Sequence, residues 1–374
     1  MKILITNAYL DIYAGTQVVV RDLALELLRQ GHQPLVYSPR LGQVAAELTN
    51  AGVSVTDRLD TTTFVPDIIH GQHYLVIEAL LRFPSTPAIY VCHSNIGGHD
   101  EMIGYFPRIL RYVAVDDLCR RRIESVPEIP RARIQVVANA VDLQRYQPRG
   151  RLPAKPGRAL VFSNHANKST YLGAVRKACR QAGLKLDVIG LFSGNATSSP
   201  ESLLPQYDIV FAKARCALEA LAVGNAVVLC DRMGLGPMVS TRNFDTLRSL
   251  NFGHSQLVNP IRAGLIRAEI ERYNPEDAAA VSQRVREEAG LVALARQWIE
   301  IYTAAIEEFR CSPRNIDDEF RALANYWTRH NYATRVEWER KQLSKLRSVP
   351  LIGGALVYFA RRILRKWFGV YGTP

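Results

Sequence analysis

Short apolar runs alternate with stretches of helical periodicity along most of this chain, and that alternation most restricts what it can fold into. Lys2–Thr6 reads as a buried strand. Gln17–Gln30 reads as a helix, apolar at Val18, Val19, Leu23, Leu27 and Leu28 and stopped by Gly31. Pro34–Tyr37 is expected as a strand and Gln43–Asn50 as a helix. Val53–Val55, Ile68–Ile69, Ala88–Cys92, Tyr112–Val115 and Ile134–Val137 continue the strands, with a basic helix between the last two. Strands separated by helices pair in parallel, because each helix carries the chain back to the edge where the strand began. Pro148–Arg158, PRGRLPAKPGR, breaks the pattern with three prolines and two glycines. The pattern then restarts at Ala159–Ser163, Tyr171–Gln181, Lys185–Ile189 and Ile209–Phe211. The expectation is an α/β fold of two doubly wound domains, residues 1–150 and 151–310, followed by a helical appendage over residues 311–374.

At 374 residues the chain exceeds a usual single core, which fits two domains. Six cysteines are scattered without a CxxC pair, and no Asp-x-Asp or His/Cys cluster suggests a metal; they read as reduced core residues. The apolar start, MKILITNAYL, is short for a signal peptide and no run reaches membrane-spanning length, so a cytoplasmic protein is expected. The net charge of +12 is concentrated at the end: seven bases and no acid lie from Lys341 onward, leaving 12 − 7 = +5 elsewhere. Ser348–Gly372 mixes those bases with Leu, Ile, Phe and Trp, the composition of a helix lying on an anionic membrane surface. Packing of the same helix on the protein itself is the plainer alternative. Nucleic acid is not expected, since no binding module accompanies the bases.

One segment carries more chemistry than the rest. Ala217–Asp231, ALEALAVGNAVVLCD, reads as a short helix, a glycine stop at Gly224 and a continuous buried strand, with Glu219 expected in the helix's first turn. It resembles the Glu-Ala-Met-Ala-x-Gly-x-Pro-Val signature of retaining GT-B glycosyltransferases, the glycosyl transferases group 1 family. Three further segments fit that resemblance. Tyr13–Ser38 is similar to the family's glycine loop and following helix, with Gly15 on the second glycine and Gln17 where Glu is usual. Pro66–His73 and Tyr90–Ser94 are similar to its strand-end histidine segments, and Val136–Pro148, VVANAVDLQRYQP, to its interdomain junction.

The resemblance implies a GT-B architecture, with two Rossmann-like domains facing each other across a cleft that takes a nucleotide sugar. Such a donor brings a diphosphate, a ribose diol and a leaving group that gains negative charge. Helix N-termini and bases suit the first and last, a carboxylate the second. The implied donor-binding residues are Gly15, Thr16, Lys168, Lys213, Arg215 and Glu219, and the implied catalytic ones His93, Lys168 and Glu219. Lys168 matches the diphosphate lysine, and Lys213 with Arg215 stands in for an arginine missing near Ser163 and Asn164. Glu219 takes the ribose and His93 approaches the sugar. His70 and His73 are expected to buttress the cleft, and Asn139 and Asp142 to be structural. Each of these positions could equally be an ordinary turn or solvated loop without the others. The family's usual first glutamate falls on Phe211, so this chain departs from the pattern there, and KARCALEA looks like the branch with Gly-Arg-Ser-x-x-Glu-Ala.

The expected activity is transfer of a hexose-type sugar, with retention, from a nucleoside diphosphate sugar to a glycan or lipid-linked acceptor in bacterial cell-surface polysaccharide synthesis. No cofactor or metal is expected, and location is cytoplasmic or peripheral on the inner face of the membrane. A catalytically silent GT-B scaffold binding nucleotide or glycan at the membrane is the alternative from another class; a GT-B sugar epimerase is a further one.

Overall fold

The computed structural model describes residues 1–95, 102–167, 169–312 and 315–330. Among these, two sheets carry the fold. The first contains β1 (Lys2–Thr6), β2 (Gln33–Tyr37), β3 (Ser54–Thr56), β4 (Ile68–Gln72), β5 (Ala88–Cys92), β6 (Ile109–Ala114) and β7 (Ile134–Val136). Its order is β3-β2-β1-β4-β5-β6-β7 and every pairing is parallel. The second contains β8 (Arg158–Phe162), β9 (Lys185–Ile189), β10 (Ile209–Ala212), β11 (Ala226–Asp231) and β12 (Gly234–Met238), ordered β12-β11-β10-β8-β9. Residues of β4, β5 and β11 are buried along their whole length, as strands covered by helices on both faces must be. These are two Rossmann-like domains facing each other across a cleft, the GT-B architecture. Strand order reverses between β1 and β4 in the first sheet and between β8 and β10 in the second, so each sheet opens a crevice at the carboxyl ends of those strands.

Several elements depart from the sequence reading. β12, GLGPM, pairs antiparallel with β11, and its two glycines and proline give no strand signal; a proline is tolerated because the strand is an edge. The sequence reading did not assign the helices Leu75–Arg82, Phe244–Ser249, Ala263–Ile270 and Pro275–Glu288, although the last opens on a helix start signal, with Asn274 as cap, Pro275 at the first position and two acids in the first turn. The helix carrying Glu219 begins at Ala214 rather than Ala217, so Glu219 lies in its second turn and outside the first-turn dipole field assumed for it. His70 sits in the middle of β4, not at its end.

The helix Leu291–Cys311 returns to the first sheet. There Trp298 and Tyr302 bury themselves against His70, with the Tyr302 hydroxyl 2.6 Å from His70 Nδ1, and Glu308 pairs with Arg111. The junction segment anchors this return: the Val141 N–H donates to Ala289 O at 2.9 Å and the Leu291 N–H to Val141 O at 3.0 Å. Asp142 caps the adjacent turn, accepting from the Gln144 and Arg145 N–H groups at 2.9 and 3.2 Å. All six cysteines are free thiols.

Met1–Pro313 forms one compact unit and Arg314–Pro374 another. Of the second, residues 316–330 are helical, and the basic stretch from Lys341 lies outside the described residues. Among the described residues no helix is long and apolar enough to cross a membrane.

Candidate functional site

The carboxyl ends of β5, β6 and β7 and the start of the Gly15–Arg29 helix, from the first domain, meet the carboxyl end of β10 from the second. They enclose a cleft of about 170 Å³ lined by Gly15, Thr16, His93, Ser94, Asn95, Asp116 and Asn139 on one side and Lys213, Ala214, Arg215, Gly253 and His254 on the other. Two helices point their N-termini into it, Gly15–Arg29 and Ala214–Val223, and neither has a side-chain cap. Uncapped first-turn amides and the helix dipole make each end an anion acceptor. A Cβ on Gly15 would meet nothing within 4 Å, so packing does not call for glycine there and its effect is to leave the backbone open to the cleft.

The structure brings together Gly15, Thr16, His93, Lys213 and Arg215, but their charges are already engaged. Lys213 Nζ lies 2.9 Å from Oδ2 of Asp231, which is 0% exposed at the end of β11. Arg215 Nε donates to Glu219 Oε1 at 2.8 Å, and its Nη2 pairs with Asp22 of the Gly15–Arg29 helix. Asp22 also accepts from Arg21 Nε at 2.7 Å. Burial pushes the Asp22 carboxyl up, but Arg215 and Arg21 outweigh it and hold the group below its ordinary value. For Glu219 burial wins and raises it, against Arg215 and the Tyr146 hydroxyl. Glu219 is therefore buried behind Arg215, and it is not among the residues lining the cleft. Lys168 lies outside the described residues.

The other expected positions divide. His70 is buried in the core, where burial and then His93 lower its pKa to about 3, so it is a neutral packing group. Nδ1 of His73 accepts the Ala8 N–H at 3.2 Å, which ties β4 to the loop after β1. Phe211 is 0% exposed inside β10, and Lys213 alone separates that strand from the Ala214–Val223 helix. Asp116 caps the Asp117–Glu124 helix by accepting the Cys119 N–H at 2.7 Å, and it lines the cleft.

Sequence reasoning missed His254 and gave Asn139 no place in the cleft. His254 is delivered by a turn after the Phe244–Ser249 helix in which Asn251 and Phe252 are both left-handed, at φ 53° and 52°. The turn ends the helix through the Phe252 N–H to Leu247 O at 2.8 Å, and the Phe252 ring packs on Phe244. The Phe252 carbonyl accepts the N–H of Ala214, itself at φ 49°, at 2.7 Å. Left-handed non-glycine residues cost about 1 kcal/mol or more each, and three clustered at one cleft are the kind of strain that surrounding structure must hold in place. Burial, then Lys213, lower the His254 pKa against Asp116, so its imidazole is neutral near pH 7. No local pattern marks His254; only the fold sets it opposite Asp116.

Residues 13–145, just over a third of the chain, match the family model for Glycosyltransferase Family 4. No curated protein sequence matches the chain. Among solved structures, a glycosyltransferase from Rickettsia africae superposes with a TM-score of 0.59 at 16% identity, over 82% of this chain and 98% of that one. Anabaena HepE in complex with UDP-glucose gives a TM-score of 0.58 at 13% identity, over 81% and 100%. WaaG, a glycosyltransferase involved in lipopolysaccharide biosynthesis, gives 0.50 at 13% identity, over 80% and 99%. At these identities the likeness is one of fold, and that fold is GT-B.

Proposed function

We propose that the protein is a retaining glycosyltransferase that uses a nucleoside diphosphate sugar and acts on a glycan or lipid-linked acceptor, in the synthesis of bacterial cell-surface polysaccharide. The observation that carries this reading is the convergence of two uncapped helix N-termini, one from each domain, on a single cleft with Lys213, Arg215 and His93 around it. Two facing anion sites suit a diphosphate better than a single carboxylate or a neutral ligand. The match of residues 13–145 to a glycosyltransferase family model supports the same reading. The HepE structure that shares this fold holds UDP-glucose, which makes UDP the first nucleotide to try.

In this reading the bond between the anomeric carbon and the β-phosphate oxygen breaks while the acceptor hydroxyl bonds to the same carbon on the same face. The hydroxyl proton passes to the departing diphosphate. The amides at Gly15 and Thr16 and at the Ala214–Val223 N-terminus take up charge developing on that diphosphate, assisted by Lys168 and Arg215. Glu219, buried behind Arg215, serves the donor by holding that arginine rather than by touching the ribose, and His93 orients the sugar. His254, neutral and facing Asp116, donates a hydrogen bond on the acceptor side. The bases around the diphosphate take the place of a metal. The basic segment from Lys341 onward holds the enzyme on an anionic inner membrane face; truncation after Ser348 should then abolish sedimentation with anionic vesicles.

The buried Phe211, in the position of an expected carboxylate, favours a second reading in which the site binds nucleotide without turning it over. A thermal-shift titration with UDP, GDP, ADP and their common sugar conjugates separates the outcomes, since a ligand that binds only the native state raises its Tm. A shift with one diphosphate that disappears in Glu219→Ala supports the donor site. Sugar transfer lost in His93→Ala supports the enzyme, whereas nucleotide binding with no transfer in any acceptor screen supports the scaffold. No shift with any nucleotide refutes the site.

A further inference from the structure

Arg215 belongs to the second domain, yet one of its two carboxylate partners comes from the first. Glu219 lies one turn further along its own helix, while Asp22 is 193 residues away in sequence on the Gly15–Arg29 helix. Asp22 divides its oxygens between two arginines: Oδ1 accepts from Arg21 and Oδ2 pairs with Arg215. Asp22 and Glu219 are each 4% exposed, so neither can meet a ligand in the cleft directly. Arg215 can, because it lines the cleft beside Gly15, Lys213 and His93.

A guanidinium that already faces two carboxylates has little charge left for a third anion. Arg21 and Arg215 are matched by the buried Asp22 and Glu219, with the part-exposed Glu47 also 3.6 Å from Arg21, and Lys213 is likewise matched by Asp231. An incoming diphosphate would gain Arg215 only by displacing Asp22 or by approaching both acids. Like charges at such range in a poorly solvated site cost far more than they do in water.

We propose that Asp22 is a positioning residue of the donor site that competes with the donor's diphosphate for Arg215, so that the first domain holds the site in a neutral, weakly binding state until an anion takes Arg215 over. This rests on the reading of the cleft as a nucleoside diphosphate sugar site. Because the Asp22–Arg215 pair joins the two domains, binding and domain position are coupled: the anion that wins Arg215 also releases the interdomain contact.

The sign of one substitution distinguishes this from a merely structural ion pair. If Asp22 only braces Arg215, its loss loosens the arginine and weakens binding. If it competes, its loss tightens binding. The test is calorimetric titration of UDP, GDP and ADP into the full chain as wild type, as Asp22→Asn, and as the double variant Arg21→Gln with Asp22→Asn. The double variant removes one charge of each sign and keeps the cluster balanced should the single one fail to fold. For the nucleotide that binds wild type, Kd should fall about tenfold in both variants, within the usual range of coupling between sites. Adding Arg215→Gln should erase the gain. Unchanged or weaker binding in the charge-balanced double variant, with wild-type binding intact, overturns the competition but leaves the donor site standing. Absence of binding to wild type and to every variant removes the donor site and this proposal with it.

Discussion

The buried histidine beneath the cleft gives the sharpest quantitative expectation. His70 is 1% exposed, held against Tyr302 and Trp298, and its pKa is lowered from 6.5 to about 3, chiefly by burial. A group whose native pKa is depressed binds fewer protons folded than unfolded between those two values. Stability is therefore complete above the unfolded pKa of 6.5 and falls as the pH drops towards 3. At about pH 5 the unfolded histidine is almost fully protonated and the native one is not, which costs about 1.5 pKa units, or about 2 kcal/mol, relative to pH 7.5. With an unfolding entropy of about 2.1 cal/mol/K per residue over the Met1–Pro313 unit, that corresponds to a fall in Tm of about 3 °C. His70→Gln retains a partner for Tyr302 but has no proton to take up. Differential scanning calorimetry of both proteins at about pH 7.5 and 5.0 cancels every other titrating group. Wild type should lose about 3 °C more than the variant over that interval. Equal losses would refute the assignment of His70 as a neutral core residue.

Two further expectations concern the second domain. Lys213→Gln leaves the fully buried Asp231 carboxylate without the cation now 2.9 Å from it, and should cost about 3 kcal/mol in urea unfolding. Adding Asp231→Asn should recover most of that loss, and a double variant no more stable than the single one would count against the pair. Phe211→Glu puts back the acid that the family pattern places there, but inside β10 rather than in a loop. It should destabilise the protein by more than about 4 kcal/mol, read as lost soluble yield and Tm, because the carboxyl would face core residues such as Val161 and Val228. A folded Phe211→Glu protein with increased sugar transfer would show that the β10 register is wrong.

Much of the fold was legible because its signals are local. Lys2–Thr6, Ala88–Cys92 and Lys185–Ile189 were readable to the residue, as compact apolar runs between turn residues. The prolines and glycines of Pro148–Arg158 fall between the last strand of one sheet and the first of the other. Two of the elements that escaped are defined by their partners. β12 is a strand only because β11 offers it an edge, and the Phe244–Ser249 helix is short enough to depend on packing.

For the site, the sequence determined which residue types stand at strand ends: Gly15 at a helix start, His93 after β5, Lys213 and Arg215 after β10. Spacing along a strand or helix is a property of neighbours in the chain, so it can be read without the fold. Tertiary structure decided what each charge faces. It set Lys213 on Asp231, Arg215 on Asp22, and His70 under Tyr302, and it brought His254 from an unmarked turn into the cleft that Asp116 also lines. Electrostatic partners are chosen by distance in space and by how poorly water reaches them. Asp22 and Arg215 lie 193 residues apart in sequence, and nothing in either segment alone announces the other.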